Sequence, residues 1–373
     1  MSAADTDQLT LLRTGSDGFD ALLDLIDRAD DSLRLLFYTF KDDSCGKEVV
    51  NKLVGAASRG VTVSLLIDDF GSIETPDGCF DALVEAGGSF RKFQPRLLQR
   101  YLLRNHQKIA IADDGRGIIG SFNIAETHLS DESEEGWRDI GVRIDGPAMT
   151  RLTKYYDSLW DWVGRERPSM RALADILEQS NEDEGDVRWV VGGPSRGHNH
   201  YVRQVRAELR SAECVDMIMA YFAPSPRVLA EVRRVARDGC LRLITAAKTD
   251  VKMSRAAARH TYGKLLKAGA EIYEYQPRLL HTKLIITDNA VFIGSGNFDV
   301  RSLYVNLEIM LRVERADFRD EVLGLFEDEL KDSERIDVAK LKQKATPVVR
   351  LFWRMAYWLT ASVDRALSRR FAR

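Results

Sequence analysis

A chain of 373 residues with 45% hydrophobic and 30% charged side chains holds core-forming material for two or three domains, which excludes disordered, collagen-like and disulfide-scaffold classes. Fifty-four Lys and Arg stand against 57 Asp and Glu, a net charge of −3, and this argues against a general nucleic-acid binder. Four cysteines (Cys45, Cys79, Cys214 and Cys240) lie far apart with no CxxC pair, a spacing that suits a reducing compartment and gives no support to a structural zinc site.

The opening Met-Ser-Ala-Ala-Asp lacks a basic and apolar leader pattern, so no secretory signal is expected. The apolar run Leu33–Phe40 predicts a strand and Gly46–Ser58 a helix. The turn Arg59-Gly60 then leads to a second strand over Val61–Ile67. From Arg91 to Lys108 the chain becomes basic and apolar together, with Arg96, Arg100 and Arg104 beside Leu97, Leu98, Tyr101, Leu102 and Leu103. That pattern suits either a helix covering the sheet or an entry surface for an anionic lipid. His128 carries no usable signal. Trp160 and Trp162 follow Leu152, Tyr156 and Leu159 at helical spacing, which predicts core packing or an interface. Glu178–Asp186 is acidic and aperiodic, so it reads as a linker with a boundary near residue 182.

Beyond the linker, His198 and His200 form an HxH that reads as a solvated loop rather than a metal site. His260, like His128, carries no usable signal. Val215–Phe222, Arg227–Ala236 and Leu241–Ala246 predict strand, helix and strand again. Residues 346–373 hold six arginines and one aspartate, a local +5, which leaves −3 − 5 = −8 on the rest. Leu351, Met355, Trp358, Leu359, Ser362, Val363, Ala366 and Leu367 follow one helical stripe flanked by Arg350, Arg354, Arg365 and Arg369. A basic amphipathic helix with aromatics reads as a membrane-surface anchor; packing on the protein itself or on a second copy is the alternative. Only Met355–Val363 runs without charge, too short to span a bilayer.

The order of elements repeats. Phe93-Gln94-Pro95-Arg96-Leu97-Leu98 returns as Tyr275-Gln276-Pro277-Arg278-Leu279-Leu280, and Leu83–Gly87 matches Leu265–Gly269 at the same offset. The period is far longer than that of a solenoid, so the chain is a duplicated α/β unit. Each copy carries one constellation. The first runs Asn105-His106-Gln107-Lys108 to Asp113, then Gly120-Ser121-Phe122-Asn123. The second runs His281-Thr282-Lys283 to Asp288, then Gly294-Ser295-Gly296-Asn297. Strand alternation puts His and Lys on one face, and Ser and Asn on one face of a return strand. Imidazole can attack phosphorus or protonate a leaving alkoxide near neutral pH. Lysine supplies charge for phosphate oxygens and Asn a directed donor. No carboxylate cluster with metal spacing lies nearby, which disfavours two-metal chemistry. Asp113 and Asp288 fall in turn sequences and read as structural members of the motif.

Two copies of H-x-K-x4-D followed by G-S-x-N resemble the signature of the phospholipase D superfamily, and the resemblance covers nearly all of residues 20–345. Trp137–Pro147 and Asn297–Glu308 further resemble bacterial cardiolipin synthases. The implied fold is two pseudo-symmetric α/β domains (1–181 and 182–345, with 346–373 as the anchor), with mixed, largely parallel sheets and the active site between them. The implied catalytic set is His106, Lys108, Asp113, His281, Lys283 and Asp288, with Ser121, Asn123, Ser295 and Asn297 binding substrate. Asp139 and Glu308 would orient the histidines through their second ring nitrogen, or else be strand-end carboxylates in salt bridges. His106 is the expected nucleophile and His281 the general acid, acting through a phosphohistidine intermediate. The expected reaction transfers phosphatidyl from one phosphatidylglycerol to another, releasing glycerol, without metal or other cofactor. The alternatives are a phospholipase D that uses water, a nuclease or phosphodiesterase of the same superfamily, and a non-catalytic membrane scaffold. The expected partners are phospholipid and an anionic membrane surface, not nucleic acid, at a peripheral place on the cytoplasmic side of the bacterial cell membrane. The oligomeric state is not legible.

Overall fold

The computed structural model describes residues 6–95, 103–130, 136–181, 184–195 and 199–363. The first half supplies β1 (Gln8–Leu12), β2 (Ser32–Phe37), β3 (Thr62–Asp68), β4 (Ser89–Phe93), β5 (Lys108–Ala112), β6 (Arg116–Gly120), the short β7 (Trp137–Arg138) and β8 (Gly141–Asp145). Seven of these form a sheet in the order β1-β8-β6-β5-β2-β3-β4. The second half supplies β9 (Val187–Gly192), β10 (Cys214–Met219), β11 (Phe222–Ala223), β12 (Cys240–Ala246), β13 (Glu271–Tyr275), β14 (Leu279–Leu280), β15 (Lys283–Thr287), β16 (Val291–Gly294), β17 (Phe298–Asp299), β18 (Glu308–Val313) and β19 (Ser333–Ile336). Its sheet runs β19-β13-β12-β10-β15-β16-β18-β9. Apart from the added edge strand β19, the two orders are the same path through two copies.

Most strands of each sheet share one direction, yet only part of the pairing is parallel. Crossover helices such as Ser44–Ser58 and Pro226–Asp238 make β2-β3-β4 and β10-β12-β13 parallel. Tight turns instead fold β5 onto β6 and β15 onto β16 as antiparallel hairpins. The expectation of largely parallel sheets therefore holds for strand direction and not for neighbour pairing; the hairpins carrying the motifs account for the difference. β5 and β15 are buried along their whole length, as central strands covered on both faces must be.

A single apolar cluster joins the halves. Leu36, Ile109 and Trp162 of the first half and Ile218, Ile293, Leu307 and Phe326 of the second belong to it, and Trp162 is core as its spacing predicts. The cysteine expectation needs correction. Cys214 and Cys240 face each other at the starts of parallel β10 and β12 and form a disulfide, while Cys45 and Cys79 are free. A separation of 26 residues along the chain hides a contact that the strand–helix–strand crossover creates.

The C-terminal segment both docks and stays exposed. Helix Pro347–Trp358 starts on a Thr346 cap with Pro at its first turn. Trp353 and Ala356 are buried against Ala256 and Ala257, and the Tyr357 hydroxyl donates to the Pro224 carbonyl. The apolar stripe of the sequence faces the other way: Leu351 is 58% exposed and Trp358 59%, with Met355 and Leu359 exposed beside them. Residues 364–373 lie outside the described chain, as do residues 96–102 of the basic apolar stretch and His198. Among the described residues no helix is long and apolar enough to cross a membrane.

Candidate active site

Both motif histidines precede the central strand of their sheet, and each is pinned by a strand of the other half. The His106 amide donates to Leu307 O at 2.9 Å and Leu307 N donates to Arg104 O at 2.8 Å. In the pseudo-symmetric position, β14 pairs with β7 and the His281 amide donates to Arg138 O at 2.9 Å. Leu307 and Arg138 immediately precede Glu308 and Asp139. The two halves thus exchange carboxylates. His106 Nδ1 lies 3.0 Å from Glu308 Oε2, and His281 Nδ1 lies 2.8 Å from Asp139 Oδ1. Both acids are fully buried. An ionised carboxylate only accepts, so each Nδ1 carries the proton and each Nε2 offers its lone pair.

The electrostatics favour this resting state. Burial pushes His106 down to about 4, the nearby Lys108 and Lys283 adding to the effect against Glu308. His281 is likewise held well below its usual range by burial, with Lys283 and His128 adding to it against Asp139. Burial lowers Lys108 to about 7, with Lys283 contributing, and lowers Lys283 to about 8 against the pull of Asp139 and Glu308. Burial alone would raise the two carboxyls, but their imidazole partners keep them ionised, Asp139 well below its usual value.

The histidines open into one cavity of about 650 Å³, shared between the halves. Asn123 and Asn297 line it, as do Tyr38, Trp137, Tyr221, Arg104 and Arg301. Lys108 and Lys283, two residues beyond the histidines, are fully buried, each Nζ donating to the carbonyl of its own motif histidine. An ammonium has three donors, so two remain on each lysine.

Two groups of expected site residues do not reach the cavity. The Ser121 hydroxyl is tied to Ile140, accepting from its N at 3.1 Å and donating to its O at 3.2 Å. Ser295 Oγ donates to Glu308 Oε2 at 2.6 Å and accepts from Ile309 N at 3.0 Å. These serines lie just past β6 and β16 and clamp the acid-bearing strands. Asp113 and Asp288 sit at the far ends of β5 and β15, about 20 Å along the chain from the histidines at ~3.3 Å per residue. Asp113 accepts from Asp31 N at 2.9 Å and Ser32 N at 3.0 Å; Asp288 accepts from Glu213 N at 2.6 Å. Both fasten the hairpin turn to the start of β2 or β10, away from the residues that line the cavity.

Sequence reasoning missed His128. It stands on the short helix Glu126–Leu129, buried and lining the cavity, with Nδ1 2.6 Å from Asp139 Oδ2. Its only sequence cue is a place five residues beyond Asn123. Tyr38 was equally silent, and Trp137 entered only as the start of a family-like stretch; their rings lie 4.9 Å from His106 and His281 respectively. Among the described residues, one trio brings possible metal-ligand atoms within 4.8 Å of each other: His128, Asp139 and His281. Two Nδ1–H donors on one carboxylate account for that closeness. His200 is buried at the head of the helix His200–Ser211, where its ring meets Arg203 and Gln204, so it is not the solvated loop that the sequence suggests.

This geometry has relatives. A family model for "cardiolipin synthase, PLD-like domain" matches residues 22–160 and 205–330. Cardiolipin synthase A of Pseudomonas fluorescens is 30% identical over 92% of this chain and 72% of its own. Cardiolipin synthase B of Salmonella typhimurium is 28% identical over 90% of this chain and 84% of its own. The crystal structure of phosphatidylserine synthase from Haemophilus influenzae has the same fold, with a TM-score of 0.74 at 12% identity over 97% of this chain and 94% of that one.

Proposed function

The chain belongs to the cardiolipin synthase family with its phospholipase D-like domains and is an enzyme of the phosphatidyltransferase kind, and from that premise we propose that it transfers phosphatidyl from one phosphatidylglycerol to the hydroxyl of a second. The observation that carries this reading is the pair of crossed imidazole–carboxylate couples facing one cavity. His106 Nε2 attacks phosphorus while the bond to the headgroup oxygen breaks. A His281 that carries a proton on Nε2 as well as on Nδ1, the charged form that Asp139 favours, gives that oxygen the Nε2 proton and glycerol leaves. The phosphatidyl group then rests on His106. His281 takes the proton of the incoming hydroxyl, whose oxygen displaces His106 and restores the enzyme. Lys108 and Lys283 supply positive charge beneath the phosphoryl oxygens, and Asn123 and Asn297 donate from the sides. The domain limits near 181 and 345 and the roles of these residues belong to this same reading.

Peripheral attachment to the cytoplasmic side of the bacterial membrane is part of the proposal. Its support is the exposed stripe Leu351, Met355, Trp358 and Leu359, flanked by Arg350 and Arg354. Exposed Phe70 and Ile73 of one half and Val251 of the other lie at the cavity itself. Such a surface suits an anionic bilayer.

The deciding experiment is mass spectrometry of lipid products from phosphatidylglycerol micelles, with His106→Ala as control. Cardiolipin and glycerol are expected. Phosphatidic acid alone makes water the acceptor and the protein a phospholipase D; unchanged lipid removes this substrate.

A further inference from the structure

The two halves are not equal at their carboxylates. Glu308 Oε2 receives a second donor from the motif serine of its own half, Ser295, at 2.6 Å. Asp139 is one methylene shorter, about 1.5 Å, and its own motif serine, Ser121, bonds Ile140 instead. The second oxygen of Asp139 is taken by His128 Nδ1 at 2.6 Å. In the other half the equivalent position, five residues past Asn297, is Ser302. A third imidazole thus gives Asp139 the second donor that the Ser295 hydroxyl gives Glu308.

The tautomer of His128 follows from its partners. Asp139 only accepts, so Nδ1 carries the hydrogen; Nε2 then accepts from Asn123 Nδ2 at 3.2 Å. Asn123 Oδ1 accepts in turn from Thr39 N at 3.1 Å. The carboxamide is thereby fixed in one orientation, with its second N–H left for a ligand in the cavity. Asn297 lacks such a lock, and its buried Oδ1 accepts no hydrogen bond among the described residues. Edge contacts to Trp137 at 4.4 Å and His281 at 4.9 Å hold the His128 ring in place.

We propose that His128 is a positioning residue that sets two groups at once: His281, through the shared carboxylate of Asp139, and the phosphoryl-facing amide of Asn123. The effect on turnover rests on the function proposed above; the geometry of His281 does not. The test uses the full chain with His128→Phe, which keeps the ring shape and removes both hydrogen bonds, and His128→Gln, which can donate to Asp139 and accept from Asn123. On phosphatidylglycerol micelles the Phe variant should lose kcat by about 10- to 100-fold, the range for a displaced catalytic group, with KM changed less than about twofold. The Gln variant should recover most of the loss.

Nitrogen-15 spectra of the histidine rings give a readout independent of substrate. In the wild type His128 should show a protonated Nδ1 and a bare Nε2, and the Nδ1–H signal of His281, assigned through His281→Ala, should move in the Phe variant and return in the Gln variant. A wild-type His128 protonated at Nε2 overturns the proposal even if a variant fails to fold. So does a folded Phe variant with unchanged kcat and unchanged His281 signal, or a folded Gln variant as impaired as Phe. A moved His281 signal without turnover of phosphatidylglycerol keeps the positioning role and removes the substrate.

Discussion

A histidine that must attack phosphorus has to be neutral, and burial secures this for His106 by lowering it to about 4. The acid limb of kcat/KM should therefore fall near pH 4 instead of near the ordinary imidazole value of 6.5, and a pH–rate profile reads it directly. The same shift links stability to pH. Between about 4 and 6.5 the unfolded chain binds a proton that the folded chain refuses, so this contribution is complete above 6.5 and lost as pH falls toward 4. The exchanged carboxylates give a second expectation. Glu308→Gln should impair attack by His106 and leave the His281–Asp139 couple intact, lowering kcat by roughly 10²- to 10⁴-fold as loss of an orienting acid does. Single-turnover trapping should then show slowed formation of the phosphohistidine. No step of the proposed reaction uses a metal, so activity should survive excess EDTA; loss restored by a divalent ion would point to the His128–Asp139–His281 trio.

The hairpins β5–β6 and β15–β16 separate two jobs that the motif compresses into one line of sequence. Their strand starts present His and Lys to the cavity, and their turns anchor the sheet through Asp113 and Asp288. Asp288→Ala should lower the melting temperature, with about 0.5–1.5 kcal/mol lost because water can reach the exposed backbone donors, while kcat of the folded fraction stays near wild type. The C-terminal helix carries the membrane prediction. Leu351→Ser with Trp358→Ser should weaken sedimentation with phosphatidylglycerol vesicles at least severalfold and spare turnover of a short-chain, monomeric substrate. Element order, the helices and the central strands were legible because each has a clean apolar period. The hairpins were legible too, from the turn residues after β5 and β15; the antiparallel pairing of β1 with β8 and of β9 with β18 was not, since a short apolar run reads alike in either sense. Of the helix stripe, Leu351, Met355, Trp358 and Leu359 are exposed, while the docking face opposite them consists of Trp353, Ala356 and Tyr357, too few and too mixed to stand out in the sequence.

For the whole molecule, the repeat exposed both motif sets and pointed to a cavity between the halves. What it could not expose was asymmetry. A comparison of two copies finds what they share, and His128 has no counterpart. The register pairing of Cys214 with Cys240 was hidden for a different reason, since it depends on which strands become neighbours. The shared apolar cluster and the crossed hydrogen bonds make the halves mutually dependent, and this has a meaning for inheritance. Each half carries one histidine and the carboxylate that serves the other half's histidine. A chimaera joining the first half of one relative to the second half of another therefore draws both acid–base couples from mixed parentage. Its activity will turn on whether Asp139 and Glu308 meet the foreign histidine at hydrogen-bond distance. The seam that constrains recombination in such a chain runs through these paired side chains, and not through the boundary near residue 182 that the sequence suggests.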